Sequence, residues 1–114
     1  MHVVNMKSYG SKEKLTEVFG DKWTYIGRYN YYYGFKESPL HNPYPIKLGS
    51  HRTNIIAFYE RYLRNCLNDG DDLITEAIKK LNSDSVLVCY CHPKRCHGNV
   101  IEKVWKEFYG TFPK

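Results

Sequence analysis

The chain has 114 residues, with 17 Lys or Arg against 12 Asp or Glu, and a net charge of +5 at pH 7. That length allows one domain with one modest core, residues 1–114, and the positive balance favours an anionic partner such as a nucleotide, nucleic acid or an acidic protein. No apolar stretch approaches the roughly 18 residues of a membrane span, which argues against a membrane partner.

Val3 and Val4 are soon followed by Asn5, Lys7 and Ser8, which is not a signal-peptide pattern. The expectation is a cytoplasmic protein whose four cysteines are free or metal-bound rather than disulfide-paired. In chain order, His2 to Met6 reads as a short first strand. Ser11 caps a short helix through Phe19, with Leu15, Val18 and Phe19 apolar and Gly20 as its stop. Trp23 to Arg28 reads as a second strand, and Gly27 marks a bend or a close backbone approach.

Residues Tyr29 to Lys47 carry three prolines and a glycine, too many for a long regular element. Their aromatic content argues against full disorder, and a fourth strand has room to hide there. Helical periodicity returns from His51 to Leu67, with Ile55, Tyr59, Tyr62, Leu63, Cys66 and Leu67 as the apolar stripe. After Asn68-Asp69-Gly70, Asp71 or Asp72 caps a further helix to about Leu81, with Leu73, Ile74, Ala77, Ile78 and Leu81 inward.

Val86 to Cys91 is an unbroken apolar run, which suits a strand buried on both faces. Pro93 stops regular pairing. Beyond Cys96 and His97 the period becomes 3.6, with Val100, Ile101, Val104, Trp105 and Phe108 on one stripe. Strands alternating with helices predict a small, single-domain layered α/β fold, Rossmann-like, with a short and mostly parallel sheet flanked by helices.

In open α/β sheets, ligands bind beyond the carboxyl ends of the strands. The Cys/His loop after the central strand is therefore the candidate site. Cys96 and His97 open the last helix, where unpaired backbone N–H groups and the helix dipole stabilise a thiolate. Lys94 and Arg95 act in the same direction. The preferred reading is a pocket that binds or processes a small anion, a nucleotide or nucleoside derivative. If the protein is an enzyme, Cys96 is its nucleophile and His97 or His92 its acid/base.

Zinc held by Cys89, Cys91, Cys96 and His97, or with His92 substituting, is the alternative. The ligand types fit, but one residue between Cys89 and Cys91 on a strand is not the spacing of a zinc knuckle. Cys89 alone, and Cys66 on a helical stripe, also read as ordinary core residues.

Several pieces together resemble an uncharacterised family, the domain of unknown function numbered 4326. They are Val3-Val4-Asn5-Met6-Lys7, Tyr25-Ile26-Gly27-Arg28, Ser38-Pro39-Leu40-His41-Asn42-Pro43-Tyr44, the Tyr59-to-Leu63 segment, and Val88-Cys89-Tyr90-Cys91-His92-Pro93-Lys94-Arg95-Cys96-His97-Gly98-Asn99-Val100-Ile101. The resemblance covers nearly the whole chain and implies a compact bacterial or phage protein, with no activity attached. His41 stands where the family more often has glycine, and Tyr29 to Phe35 is an expanded version of its loop. The closing motif is also similar to that of domain of unknown function 488. There the position resembling Cys91 is usually acidic, which favours a pocket built on Cys89, Cys96 and His97.

Three further residues join the candidate ligand set of Cys89, His92, Lys94 and Arg95. Arg28, at the end of the second strand, can clamp a phosphate or carboxylate through two N–H groups. Asn42 is either a turn former or a ligand contact. Asn5, polar among apolar neighbours, either pins a loop or faces the pocket. Lys47 and Arg52 flank the start of the long helix and add positive charge. Tyr29, Tyr31, Tyr32, Tyr33 and Phe35 suggest base stacking or a protein interface, with nucleic acid or a host protein as partner. The chain shows no phosphate-binding glycine loop and no nucleophile elbow.

Overall fold

The computed structural model describes residues 1–44, 52–90 and 97–110. Three strands, β1 (His2–Asn5), β2 (Trp23–Tyr25) and β3 (Val86–Cys89), form one parallel sheet in the order β1-β3-β2. Four helices flank it: α1 (Lys12–Phe19), α2 (Arg52–Asn68), α3 (Asp72–Lys79) and α4 (His97–Trp105). This is the expected small α/β arrangement, although with three strands it is only loosely Rossmann-like. No helix among the described residues is long and apolar enough to cross a membrane.

β3 lies at the centre, pairing Asn5 with Cys89 on one side and Tyr25 with Val88 on the other. All four of its residues are buried, which is why its sequence shows a continuous apolar run. Alternation along the strand divides the core in two. Leu87 and Cys89 join Val3, Ile26, Tyr59, Leu63, Ile78 and Ile101 under α2, α3 and α4. Val86 and Val88 join Val4, Leu15, Tyr25 and Phe35 beneath α1 and the tyrosine-rich turn.

Local signals set the helix starts. Ser11 accepts a hydrogen bond from the Lys14 N–H at 3.1 Å and caps α1. Asp71, rather than Asp72, caps α3 through the Ile74 N–H at 3.0 Å. The inward face of α3 runs through Ile74 and Ile78, and Leu73, about 100° round the helix from Ile74, is turned outward at 74% exposure, against the expectation that it packs inward. Val18 is likewise half exposed. On α2 the buried line is Ile56, Tyr59 and Leu63, a face rotated slightly from the expected stripe. Cys66 is only partly buried at its margin.

The strands are shorter than the sequence pattern suggests. β1 ends at Asn5 because its side chain caps a 3₁₀ turn over Met6–Ser8. β2 ends at Tyr25 because the chain bends at Gly27, and the Tyr25 hydroxyl folds back over it to the Arg28 carbonyl. A side chain at Gly27 would occupy the space that the Tyr25 ring fills. β3 ends at Cys89, where the ladder to both neighbours runs out. Among its described residues, 29–44, the tyrosine-rich segment holds no fourth strand. It makes a single antiparallel bridge between Asn30 and Phe35.

Leu87→Ala should cost about 2–5 kcal/mol, because it opens a cavity where no water now reaches. Leu73→Ala should stay within about 0.5 kcal/mol, as for other exposed positions. Urea unfolding of the two variants beside the parent chain measures both, and equal losses would mean that the α3 face is misassigned.

Candidate functional site at the carboxyl end of the sheet

The three strands point the same way, so their carboxyl ends form one edge. Asn5 and Cys89 face each other in register there, and Ile26 lies one residue beyond the Tyr25–Val88 pair. α4 begins over this edge. Its second residue is glycine because a Cβ at Gly98 would stand 3.0 Å from Ile26 Cδ1 and 3.1 Å from both Val3 methyls. The first turn of α4 therefore rests directly on β1 and the end of β2.

That contact places His97, which is buried and donates from Nε2 to the Ile26 carbonyl at 2.6 Å. A carbonyl only accepts, so the ring proton is on Nε2 and Nδ1 keeps its lone pair. The ring meets Tyr59 edge-on, with centroids 5.1 Å apart, and the Tyr59 hydroxyl donates to the Leu40 carbonyl at 2.7 Å. Burial pushes the His97 pKa down from 6.5. The bond to Ile26 pulls it partly back, repulsion from His41 and Arg28 pushes it down further, and it settles at about 4. His97 is thus a neutral imidazole near pH 7, fitted to accept a hydrogen bond or bind a cation at Nδ1 rather than to carry charge.

The other expected site residues take different parts. Arg28 is exposed and holds the Asn42 carbonyl with Nε at 3.1 Å and Nη2 at 2.6 Å. No described residue takes its Nη1. Asn42 accepts from the Tyr44 N–H at 2.8 Å, the geometry of a turn former. Asn5 pins two segments, accepting from the Lys7 N–H at 2.9 Å and donating to the Tyr90 carbonyl at 3.1 Å. Cys89 is 2% exposed within the core under α4. Cys91, His92, Lys94, Arg95 and Cys96 lie outside the described residues, as does Lys47. Among the described residues no three His, Cys, Asp or Glu side chains stand close enough to hold a metal ion.

The structure also brings in His41, which the residue pattern did not mark as a site residue. Its Nδ1 lies 2.7 Å from the Ser38 carbonyl and its Nε2 lies 3.6 Å from Glu37. Its only sequence signal was a histidine in a motif whose family pattern favours glycine. Arg28 and His41 both act on His97 from the segment that follows β2, so two further basic side chains stand near this corner of the sheet.

A small parallel α/β protein with a histidine-headed helix over its carboxyl edge is the class that fold and geometry define. The chain belongs to the family described as "Domain of unknown function (DUF4326)", whose model matches residues 10–107. The match takes in α1 to α4, β2 and β3, and leaves β1 outside it. No curated protein and no solved structure matches the chain.

The unfolded chain takes up a proton on His97 between about pH 6.5 and 4 that the folded chain refuses. The His97 contribution to stability is therefore whole above pH 6.5 and is lost as pH falls toward 4, by on the order of 3 kcal/mol at the acid end. His97→Gln keeps an N–H for the Ile26 carbonyl and cannot titrate. Urea unfolding across pH 4–7 should show a shallower slope in the variant, and identical slopes would mean that His97 ionises as freely folded as unfolded.

Proposed function

We propose that this protein binds a small anionic ligand, of the nucleotide or nucleoside-derivative class, at the carboxyl end of its sheet. The observation that carries the reading is that His97 sits on the Ile26 carbonyl at the end of β2, while Arg28 follows that strand and the segment holding His41 is tied to Gly27 through Ser38. Parallel sheets bind ligands at this edge. A helix N-terminus there adds backbone donors and a favourable dipole for an anion. Arg28 has a remaining nitrogen, Nη1, and an exposed position from which to meet a phosphate or carboxylate.

Within this reading Cys96, bonded to the residue that opens α4, is the thiol assigned to the ligand. His92, Lys94 and Arg95 of the same loop add hydrogen-bonding and charged groups. Asn5 and Asn42 act as positioning residues, because their side chains hold turns. If chemistry follows binding, Cys96 is the nucleophile. His97 serves as an acceptor at Nδ1, its depressed pKa making it a weak base.

One observation favours the zinc reading over a bare pocket. A metal-bound histidine usually donates its other N–H to a carbonyl or carboxylate, and His97 does so to Ile26. Cys89 lies on the same face of the sheet. In that case Cys91 and Cys96 complete the ligand set.

Intact mass of freshly purified protein, native and then denatured, separates these readings. A small-molecule mass lost on denaturation supports the pocket, and the mass of one zinc ion supports the metal centre. Adenosine monophosphate and inorganic phosphate should raise the melting temperature of the parent chain, and carboxamidomethylation of Cys96 should abolish that rise. A bare mass, together with no thermal shift from either probe, would overturn the ligand-binding reading.

A further inference from the structure

Tyr31 and Tyr32 are 86% and 84% exposed, and Tyr29 is 66% exposed. Large aromatic rings so open to water usually sit on loose chain, yet these sit on a closely tied turn. Asn30 and Phe35 exchange two backbone hydrogen bonds, each 2.9 Å. The Asn30 side chain accepts from the Tyr33 N–H at 3.0 Å. Gly34 takes φ +73°, a left-handed value that closes the turn and that other residues rarely adopt. Lys12, from α1, donates to the Gly34 carbonyl at 2.6 Å, and its ammonium lies 5.0 Å from the centre of the Phe35 ring.

Stacked rings carry the turn down to the sheet. Phe35 lies flat on Tyr25 at 4.0 Å and 8°. Tyr33 stacks on Tyr90 at 5.9 Å, and Tyr32 stands edge-on against Tyr33 at 4.7 Å. The exposed rings are thus presented on a fixed mount.

The stretch that carries them is basic, with Asp21 and Glu37 standing just outside it. From Lys22 to Lys36 the sequence holds no Asp or Glu, while Lys22, Arg28 and Lys36 are positive. The fold adds Lys12 from another element. Glu37, the next acid in the chain, faces His41.

We propose that this turn is a binding surface for single-stranded nucleic acid, with Tyr31 and Tyr32 as stacking platforms and Lys12 and Lys36 meeting the phosphates. Single strands are held in this way, by aromatic faces that accept any base and by cations along the backbone. A protein interface fits less well, because interface cores are depleted in Lys, and here Lys12 reaches into the turn itself. The surface stands apart from the ligand reading of the His97 corner, since it lies against the opposite face of the sheet.

Fluorescence anisotropy of the full chain with labelled short oligothymidylate and oligouridylate tests the proposal. Binding should appear near 50 mM salt and weaken about sevenfold by about 200 mM. Tyr31→Ala with Tyr32→Ala should weaken it about tenfold or more, while Tyr→Phe at both positions should retain it, since stacking needs only the ring. Lys12→Gln with Lys36→Gln should flatten the salt dependence by about one to two units of slope. The exposed tyrosines can be removed without unfolding the chain, which its melting curve verifies. No binding at low salt would overturn the proposal. So would equal binding by the parent and the alanine variant, which would leave a charge-only contact or a protein partner for this turn.

Discussion

β3 pairs with both of its neighbours, and β1 and β2 do not pair with each other. Everything else depends on that four-residue strand. Its side chains alternate between two separate clusters of buried residues, so both faces must be covered before any of its apolar surface is safe from water. α2, α3 and α4 cover one face. Among the described residues the other is covered by the eight-residue α1, the turn at Met6 to Tyr9 and the aromatic turn. Phe35, from that turn, is 5% exposed, so the turn is part of the core's closure as well as a surface.

Charge is divided between the two ends of the helical layer. Away from the sheet's carboxyl edge, α2 and the segment that follows α4 are tied by Arg64, which reaches Glu60 at 3.0 Å and Glu107 at 2.7 Å. Lys103 adds a contact of 3.3 Å to Glu60. These pairs are neutralised locally and partly exposed, so each is worth little to stability. At the carboxyl edge the described cations instead reach backbone carbonyls: Arg28 that of Asn42, and Lys12 that of Gly34. A carbonyl orients a cation without cancelling its charge. Arg28 and Lys12 therefore keep their charge for an approaching anion.

The elements that were legible in the sequence are those whose signals are local or complete within one segment. The Val86–Cys89 run, the Ser11 and Asp71 caps, and the Val100, Ile101 and Val104 stripe all recur in the fold. Leu73 is apolar but lies one position off the buried Ile74, Ile78 and Leu81 line, and spacing alone does not report how wide a stripe the fold covers. The prolines and glycine of Tyr29 to Lys47 rule out a long regular element but do not report that Phe35, Ser38 and Leu40 are buried. Their burial depends on Tyr25 and Tyr59, which lie ten or more residues away in the sequence, and no local pattern reports such contacts. At the candidate site, the position of His97 at a helix start was readable. Its bond to Ile26, 71 residues away, and the approach of His41 were not.

The end of β2 joins the two sides of the molecule. Tyr25 and Ile26 are consecutive, so their side chains fall on opposite faces of the sheet. The Tyr25 ring supports Phe35 and touches Tyr90 at 6.0 Å, and its hydroxyl holds the Arg28 carbonyl at 2.5 Å. Ile26 gives its carbonyl to His97 and its side chain to the seat of Gly98. Two adjacent residues therefore position the tyrosine-rich turn on one face and the first turn of α4 on the other. Gly27 makes this arrangement possible, because any side chain there would displace the Tyr25 ring from its place against Phe35. The bend at Gly27 is thus a constraint shared by both faces. A change in backbone path at this one residue would move Arg28, the base of the aromatic turn and the carbonyl that orients His97 together.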